Sequence, residues 1–392
     1  MSRHYLDYAS TAPLRPEAAS AMRDWMETPA GDPGRVHSEG RAVRAAVEDA
    51  REKVAALLGV RPRQVIFTSG ATEAIHAALW GALWDRPGSA VLCAGVEHSA
   101  VRDASARLAP VVELAVDRCG RIDPEALDAA LAHSGRQPAL VQCQWANHEV
   151  GTSQPVAAVV DRSHRDRVPV HVDAAAAFGQ VPLELPMPLD DVEGPDFLSV
   201  SAHKMGGPPG IGALVVRRNL RVEPLLVGGQ QERGRRAGAE NVCGIVGFGA
   251  AAAALGGTGA PGGTAALADE AARARALTTR LADEVLAVPG TVQVGDPDGR
   301  VPHIVCFGVE GVEAEPVLLA LDRAGIAAHS GSACSSESLE PSPVLAAMGA
   351  DPSHSLRLSV GWATTEDDVV AFAAAFGDIV ASLRALRTQA RT

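Results

Sequence analysis

Apolar residues recur at helical spacing through RAVRAAVEDAREKVAALLG, residues 41–59, and stop on a glycine suited to a helix C-terminus. Pro16 marks the start of an earlier helix after YLDYASTAPLR, and GDPGRVHSEG between the two is a polar, glycine-rich loop. From residue 64 the pattern changes. QVIFTSGATEAIHAALWGAL predicts a short strand, a Ser-Gly turn and a helix whose first turn holds Ala71 and Thr72. Short apolar runs follow in SAVLCAGVEHSAV, PALVQCQWANHEVG, VPVHVDAAAAFG, DFLSVSAHK and GIGALVVRR, with helical patterns such as VAAVVDRSHRDR between some of them. Strands alternating with helices predict an α/β fold: a mostly parallel sheet covered by helices on both faces.

GGQQERGRRAGAENV then interrupts the pattern as a glycine- and charge-rich loop, expected to be exposed, before an alanine-rich helix at Ile245 to Leu255. GGTGAPGGT follows and marks a boundary. Beyond it lie a long helix (ALADEAARARALTTRLADEVL), strands around VPHIVCFGV and LRLSVG, and a closing amphipathic helix, which predict a smaller α+β unit. The expected division is a large domain over 15–255 and a small one over 1–14 and 256–392. A chain of 392 residues is long enough for both.

Composition narrows the picture. With 47% apolar and 4% aromatic residues the chain is that of an ordinary globular enzyme, and a net charge of −12 argues against a general basic surface for nucleic acid. No apolar run is read as approaching membrane-spanning length, and MSRHYLDYAS lacks the layout of a signal peptide. The six cysteines (Cys93, Cys119, Cys143, Cys243, Cys306 and Cys334) form no CxxC pair, so neither a zinc knuckle nor a disulfide framework is expected. A cytoplasmic chain with reduced thiols and no metal fits these features.

The candidate chemistry begins with a scarcity. Lys53 and Lys204 are the two lysines among 35 basic side chains. Arginine cannot be deprotonated in a protein, whereas a lysine amine can lose its proton and attack a carbonyl. Lys53 reads as a solvated helix residue. Lys204 sits in SVSAHKMGGPPGIG, after an apolar run, and an ordinary loop lysine is the competing reading there. The strand ends weigh against it: His98, His148, Asp173, Ser201 and His203 occupy equivalent positions, and such residues converge on one crevice in parallel sheets. A lysine amine, a carboxylate at Asp173, an imidazole at His98 and free N–H groups at Ala71 and Thr72 are the groups that pyridoxal phosphate requires. Many strand-to-helix turns resemble TSGATEA, so that cradle is weak evidence alone. Cys334 stands among small polar residues in SGSACSSES, unlike the other five cysteines, which read as apolar or strand-bound, and suggests nucleophilic chemistry at a substrate side chain.

Taken together, YLDYASTAP, TSGATEA, EHSAV, NHEVG, HVDAA, SAHK with GPPGIGAL, GGQQERGRRAG, SGSACSSESLEPS and LRLSVGWATTE resemble, nearly end to end, the cysteine desulfurases of the NifS/IscS type. These belong to the class V, fold-type I aminotransferase-like enzymes, and SGSAC…LEPS is the most specific of the motifs. The resemblance implies that Lys204 holds pyridoxal phosphate and serves as base, and that Asp173 pairs with the ring nitrogen. His98 would stack on the ring and relay protons. Ala71, Thr72, Ser201 and His203 would bind the phosphate, Arg357 the α-carboxylate of L-cysteine, and Cys334 would become a persulfide that passes sulfur to an acceptor protein. A homodimer is implied, with the active site completed across the interface. The chain departs from the pattern at His148 and Ala176, where relatives carry an asparagine and a glutamine at the ring hydroxyl, so His148 is expected to take over that hydrogen bond. It departs also at Asp32, where relatives carry an asparagine, and at Ala239, where they carry a threonine. A C–S or selenocysteine lyase and a non-catalytic scaffold are the competing readings.

Overall fold

The computed structural model describes residues 3–27, 31–133, 138–182, 194–256, 265–331 and 342–390. Cys334 therefore lies outside the described residues, as does most of GGTGAPGGT. In chain order, β1 (His4–Tyr5) precedes α1 (Pro16–Met26) and α2 (Ser38–Leu58). Then come β2 (Val65–Thr68), α3 (Ala71–Leu83), β3 (Ala90–Ala94), α4 (Ser99–Leu108), β4 (Val111–Leu114) and α5 (Pro124–His133). They are followed by β5 (Pro138–Gln144), α6 (Val156–Arg165), β6 (Val170–Asp173), β7 (Phe197–Ser201) and β8 (Gly212–Val216). A kinked turn, α7 (Gln231–Gly234), leads to α8 (Val242–Ala254), α9 (Ala265–Leu286), β9 (Thr291–Val294), β10 (Ile304–Val309) and α10 (Ala314–Arg323). The chain ends with β11 (Ile326–Ala327), α11 (Pro343–Ala347), β12 (Ser355–Ser359) and α12 (Glu366–Ala390).

Seven strands form the main sheet in the order β2-β8-β7-β6-β5-β3-β4, and every pairing is parallel except the two made by β8. Side chains alternate between its faces, which is why both strand faces read as apolar. Val65, Phe67, Leu92, Val141, Ala213 and Val215 join the core that holds α2 and α8. Their neighbours Ile66, Val91, Leu140, Leu214 and Val216 join a second core beneath α3 and α4. The fold class expected from the sequence is the one observed.

The topology also locates a crevice. The chain leaves β3 toward β4 through α4 but leaves β5 toward β6 through α6, so adjacent strands β3 and β5 send their connections in opposite directions. Such a reversal opens a gap beyond the carboxyl ends of the strands. His98 follows β3 there, and His148 follows β5.

A separate apolar cluster joins Leu6, α9, β10, β12 and α12 around Phe307, Phe372 and Phe376. The three-stranded antiparallel sheet β12-β10-β9 underlies it, and β1 pairs with β11. Not all of the later chain keeps to this cluster: Leu267, Cys306, Val344 and Leu345 pack into the main core. One expectation needs correction here. The stretch Glu366–Gln389 is long and apolar enough, by length and composition, to cross a membrane. Valine, phenylalanine, isoleucine and alanine in VVAFAAAFGDIVASL bring its mean hydropathy to 1.8. Val369, Phe372, Phe376 and Val380 are at most 1% exposed and make it one wall of the second cluster.

Among the described residues, His171 and His303 are buried without a charged partner. Burial pushes His171, on β6, down to about 4 and His303 down to about 3. Between pH 6.5 and 4 the unfolded chain binds protons at these sites and the folded chain does not, so their contribution to stability is lost as pH falls through that window. Glu97 works in the opposite sense, because burial lifts it to about 8 and its contribution weakens as pH rises from the ordinary carboxylate value toward 8. Denaturant titrations at pH 7 and pH 4.5 are expected to show His171→Gln losing about 2 kcal/mol less than the parent on acidification. Equal losses in the two proteins would contradict it.

Candidate active site

The turn carrying Lys204 is shaped by its neighbours. Gly206 has φ +88, and a Cβ there would lie 2.5 Å from Arg15 Cγ, so the turn needs glycine both for its left-handed backbone and for space. Arg15 earns that contact: its Nε donates to the Met205 carbonyl at 2.8 Å and its guanidinium pairs with Glu270. The Ala12 and Arg15 N–H groups donate to the carbonyls of His203 and Gly206. Gln180 Nε2 donates to the Lys204 carbonyl. The N-terminal segment thus clamps the lysine turn from one side, and β7 and β8 hold it from below.

Each strand-end residue is fixed in its own way. His98 caps α4, its Nδ1 accepting from the Ala100 N–H at 3.1 Å. That bond assigns the ring proton to Nε2 in the neutral tautomer. Burial first, and then the Lys204 charge, holds His98 below its ordinary value. Asp173 ends β6, and its Oδ1 accepts from Ser199 Oγ at 3.1 Å and from the Ala175 N–H at 3.0 Å. Asn147 Oδ1 accepts from the N–H groups of Glu149 and Val150, both at 2.8 Å, while its Nδ2 donates to the Val96 carbonyl at 3.0 Å. The turns after β3 and β5 are therefore tied together, which sets the His148 ring edge-on to His98 with centroids 4.8 Å apart. Burial, followed by His98, pushes His148 well below its ordinary value. His203 falls to about 4, by burial and then by Lys204.

At α3 the entrance residue Gly70 supplies no side-chain cap, and a Cβ built on it meets nothing within 4 Å. The start of a 13-residue helix thus faces open space. Helix N-terminal N–H groups and the helix dipole favour an anion at such a place.

These groups share one cavity of about 480 Å³. Ala71, Thr72, His98, His148, Asp173, Ser201, His203, Lys204 and Arg357 all line it, so the structure brings together every expected site residue that it describes. Arg357 is only 1% exposed. Its Nη1 donates to the His148 carbonyl and its Nη2 to Asp7 Oδ1 and Ser10 Oγ, each at 2.8 Å, whereas Nε is buried without a hydrogen-bond partner among the described residues. Among the described residues no cluster of histidine, cysteine and carboxylate side chains is arranged to hold a metal.

Several features differ from the sequence reading or were absent from it. The loop expected to be exposed holds Glu232, which is 6% exposed and receives Arg51 Nη1 and Nη2 at 2.7 and 2.8 Å and the Phe67 N–H at 3.1 Å. A charged sequence looked like a surface because its partner lies on a distant helix. Among the cysteines, Cys119 sits in a turn and Cys243 on α8, not in strands, while Cys93, Cys143 and Cys306 are buried. Asp32 lines a second cavity with Arg51 and Glu232, away from Lys204, and Ala239 borders a smaller hollow beside Ser69 and Gly210. Gln144 lines the main cavity and was missed although it ends β5 as Asp173 ends β6. Asp7 and Ser10 were missed for a different reason: about 350 residues separate them from Arg357, and no local pattern signals such a pairing.

Comparison with known proteins places this geometry. The profile described as aminotransferase class-V matches residues 4–372. A protein of Cereibacter sphaeroides named cysteine desulfurase is 39% identical over 98% of this chain and 98% of its own length. One of Dictyoglomus turgidum, named cysteine desulfurase IscS, is 36% identical over 93% of this chain and 91% of its own. The X-ray structure of a NifS-like protein from Rickettsia africae superposes with a TM-score of 0.84 at 26% identity, covering 96% of this chain and 99% of that one. With the profile spanning nearly the whole chain, and the relatives matching along nearly all of theirs, this protein belongs to the aminotransferase class-V family.

Proposed function

We propose that the chain is a pyridoxal-phosphate-dependent cysteine desulfurase that converts L-cysteine to L-alanine and carries the sulfur as a persulfide on Cys334. The observation supporting this reading most directly is the meeting of Lys204, Asp173, His98 and the open N-terminus of α3 in one cavity. The full-length likeness to proteins named cysteine desulfurase supports it independently.

The residues present suit the cofactor. A volume of about 480 Å³ is within the range of small-molecule sites. Lys204 would hold the aldehyde carbon and Asp173 the ring nitrogen. The N–H groups of Ala71 and Thr72, with the Thr72 hydroxyl, Ser201 and His203, would hold the phosphate. His98 would cover the ring, and His148 would meet the ring hydroxyl, a task that Ala176 on the same wall cannot share for want of a polar side chain. When bound, the cofactor accepts electron density from the substrate's α-carbon.

The chain's own groups divide the remaining work. Arg357 would receive the substrate carboxylate, its buried Nε–H being a donor not engaged elsewhere among the described residues. Lys204, as a free amine, would take the α-proton. The Cys334 thiolate would attack the substrate sulfur: a new S–S bond forms, the S–Cβ bond breaks, and the carbon retains the electron pair and is protonated to give alanine, with His98 relaying the proton. Cys306 is a poor alternative nucleophile, since burial pushes its thiol up to about 12. The persulfide would then pass to an acceptor protein. The unit over 15–255 would carry the cofactor and that over 1–14 and 256–392 the Cys334 segment. The working form would be a cytoplasmic homodimer with GGQQERGRRAG at the subunit contact. The test is direct: cofactor-loaded protein given L-cysteine is expected to release alanine equimolar with the sulfur transferred. A loaded protein that forms no alanine would overturn the proposal.

A further inference from the structure

β2 is an edge strand of the main sheet, paired with β8 on one side only. The outward backbone groups of such a strand form a row of donors and acceptors that need partners. Here charged side chains supply them. The Val65 carbonyl accepts from Arg51 Nη1 at 3.0 Å, the Phe67 N–H donates to Glu232 Oε2 at 3.1 Å, and the Ser69 N–H donates to Glu73 Oε2 at 2.8 Å. Glu73 lies in the first turn of α3 and is itself held: Arg236 Nε and Nη2 reach its two oxygens at 2.9 and 3.2 Å. The pair is well covered, with 13% of the Glu73 side chain and 23% of the Arg236 side chain exposed.

Glu232 and Arg236 come from one loop, so residues 232–236 grip the chain on both sides of the turn at Ser69 and Gly70. Glu232 and Arg233 adopt left-handed backbone, with φ +47 and +61, which non-glycine residues keep only where surrounding contacts hold it. Ser69 borders both the main cavity and, with Arg236, the small hollow beside it. The pair therefore holds one N–H of the turn whose following residues, Gly70, Ala71 and Thr72, line the cavity.

Two effects of the pair bear on an anion at the start of α3. A carboxylate fixed by two guanidinium bonds is a stiff acceptor, so the Ser69 N–H, and with it the turn that carries the next N–H groups, is set before any anion arrives. The Glu73 charge lies within one helical turn of those groups and would repel an anion, and Arg236 offsets it. We infer that Glu73 and Arg236 are positioning residues for the cofactor's phosphate: together they fix the turn that presents the Gly70, Ala71 and Thr72 N–H groups, and they cancel the carboxylate charge beside it. The inference rests on the reading that this cavity takes pyridoxal phosphate, and deepens it by giving the phosphate site a support from the loop at 232–236.

The test compares pyridoxal phosphate with pyridoxal, which has the same ring and aldehyde but no phosphate. Each is titrated into protein freed of cofactor, and binding is read from the visible absorption that appears. In Arg236→Gln the affinity for pyridoxal phosphate is expected to fall about tenfold, the size of one bond to a charged group, and that for pyridoxal to stay within about twofold. Adding Glu73→Gln to Arg236→Gln is expected to cost no further affinity, because the two side chains act as one unit. Arg236→Lys, which keeps the charge and gives up the fork, serves should Arg236→Gln fail to fold, with a drop of about threefold and the same selectivity. A fall shared equally by both compounds would mark a general structural role and overturn the inference. Unchanged affinity for pyridoxal phosphate would overturn it too, as would a double variant much weaker than Arg236→Gln. A parent protein that binds pyridoxal phosphate no more tightly than pyridoxal, or binds neither, would instead sink the cofactor reading and this inference with it.

Discussion

Lys204→Ala is expected to lose the visible absorption of a lysine-bound cofactor and to lower alanine formation from L-cysteine by about three orders of magnitude or more. The size follows from the two tasks assigned to one amine, holding the cofactor and removing the α-proton. No nearby group can take over. Lys53, the other lysine, lies on α2 and pairs with Asp49 at 2.7 Å. His98 has its Nδ1 engaged in capping α4, and burial and the Lys204 charge keep its pKa low. Lys204→Arg is expected to be equally inactive, since a guanidinium retains its proton at any working pH. Substantial turnover in either variant would show that the cavity's chemistry does not depend on this amine.

Cys334→Ala comes second in size and fails in a different way. Sulfur transfer should fall by about two to three orders of magnitude, whereas α-proton exchange with bound L-alanine should persist, because Lys204, Asp173 and Arg357 are intact. The three buried thiols are poor substitutes. Cys93 and Cys143 are held well above the ordinary thiol value, by burial first and then by Glu97, and Cys306 lies beneath Gly331 as a buried thiol. Measuring alanine and sulfide together decides between enzymes: both should fall in a desulfurase, while undiminished release would mark a C–S lyase that needs no enzyme thiol.

The residues that made the site legible in the sequence share one property: each ends a strand or follows one in the chain. His98, His148, Asp173, Ser201 and Lys204 could be placed at one crevice because parallel strands bring their carboxyl ends together whatever their order. The scarcity of lysine pointed to Lys204 for a reason of chemistry, not of fold. Pairings between distant segments were invisible. Asp7 and Arg357, Arg51 and Glu232, and Glu149 and Ser342 meet only once the chain is packed, and of these only the loop holding Glu232 is expected from the sequence to be exposed. Glu232 is buried instead because it found a partner in Arg51. The antiparallel course of β8 was equally hidden, since an apolar run looks the same in either direction. For α12, Val369, Phe372, Phe376 and Val380 recur at helical spacing, so an amphipathic helix was legible, and the packing of Phe372 and Phe376 shows what it covers.

The most direct measurement is to incubate the cofactor-loaded protein with L-cysteine, digest it under conditions that preserve persulfides, and locate the added sulfur by mass spectrometry. The expected result is one extra sulfur on the peptide containing Cys334, equimolar with alanine and absent from Lys204→Ala. Alanine accumulating while Cys334 stays unmodified, or the extra sulfur appearing on another cysteine, would contradict it.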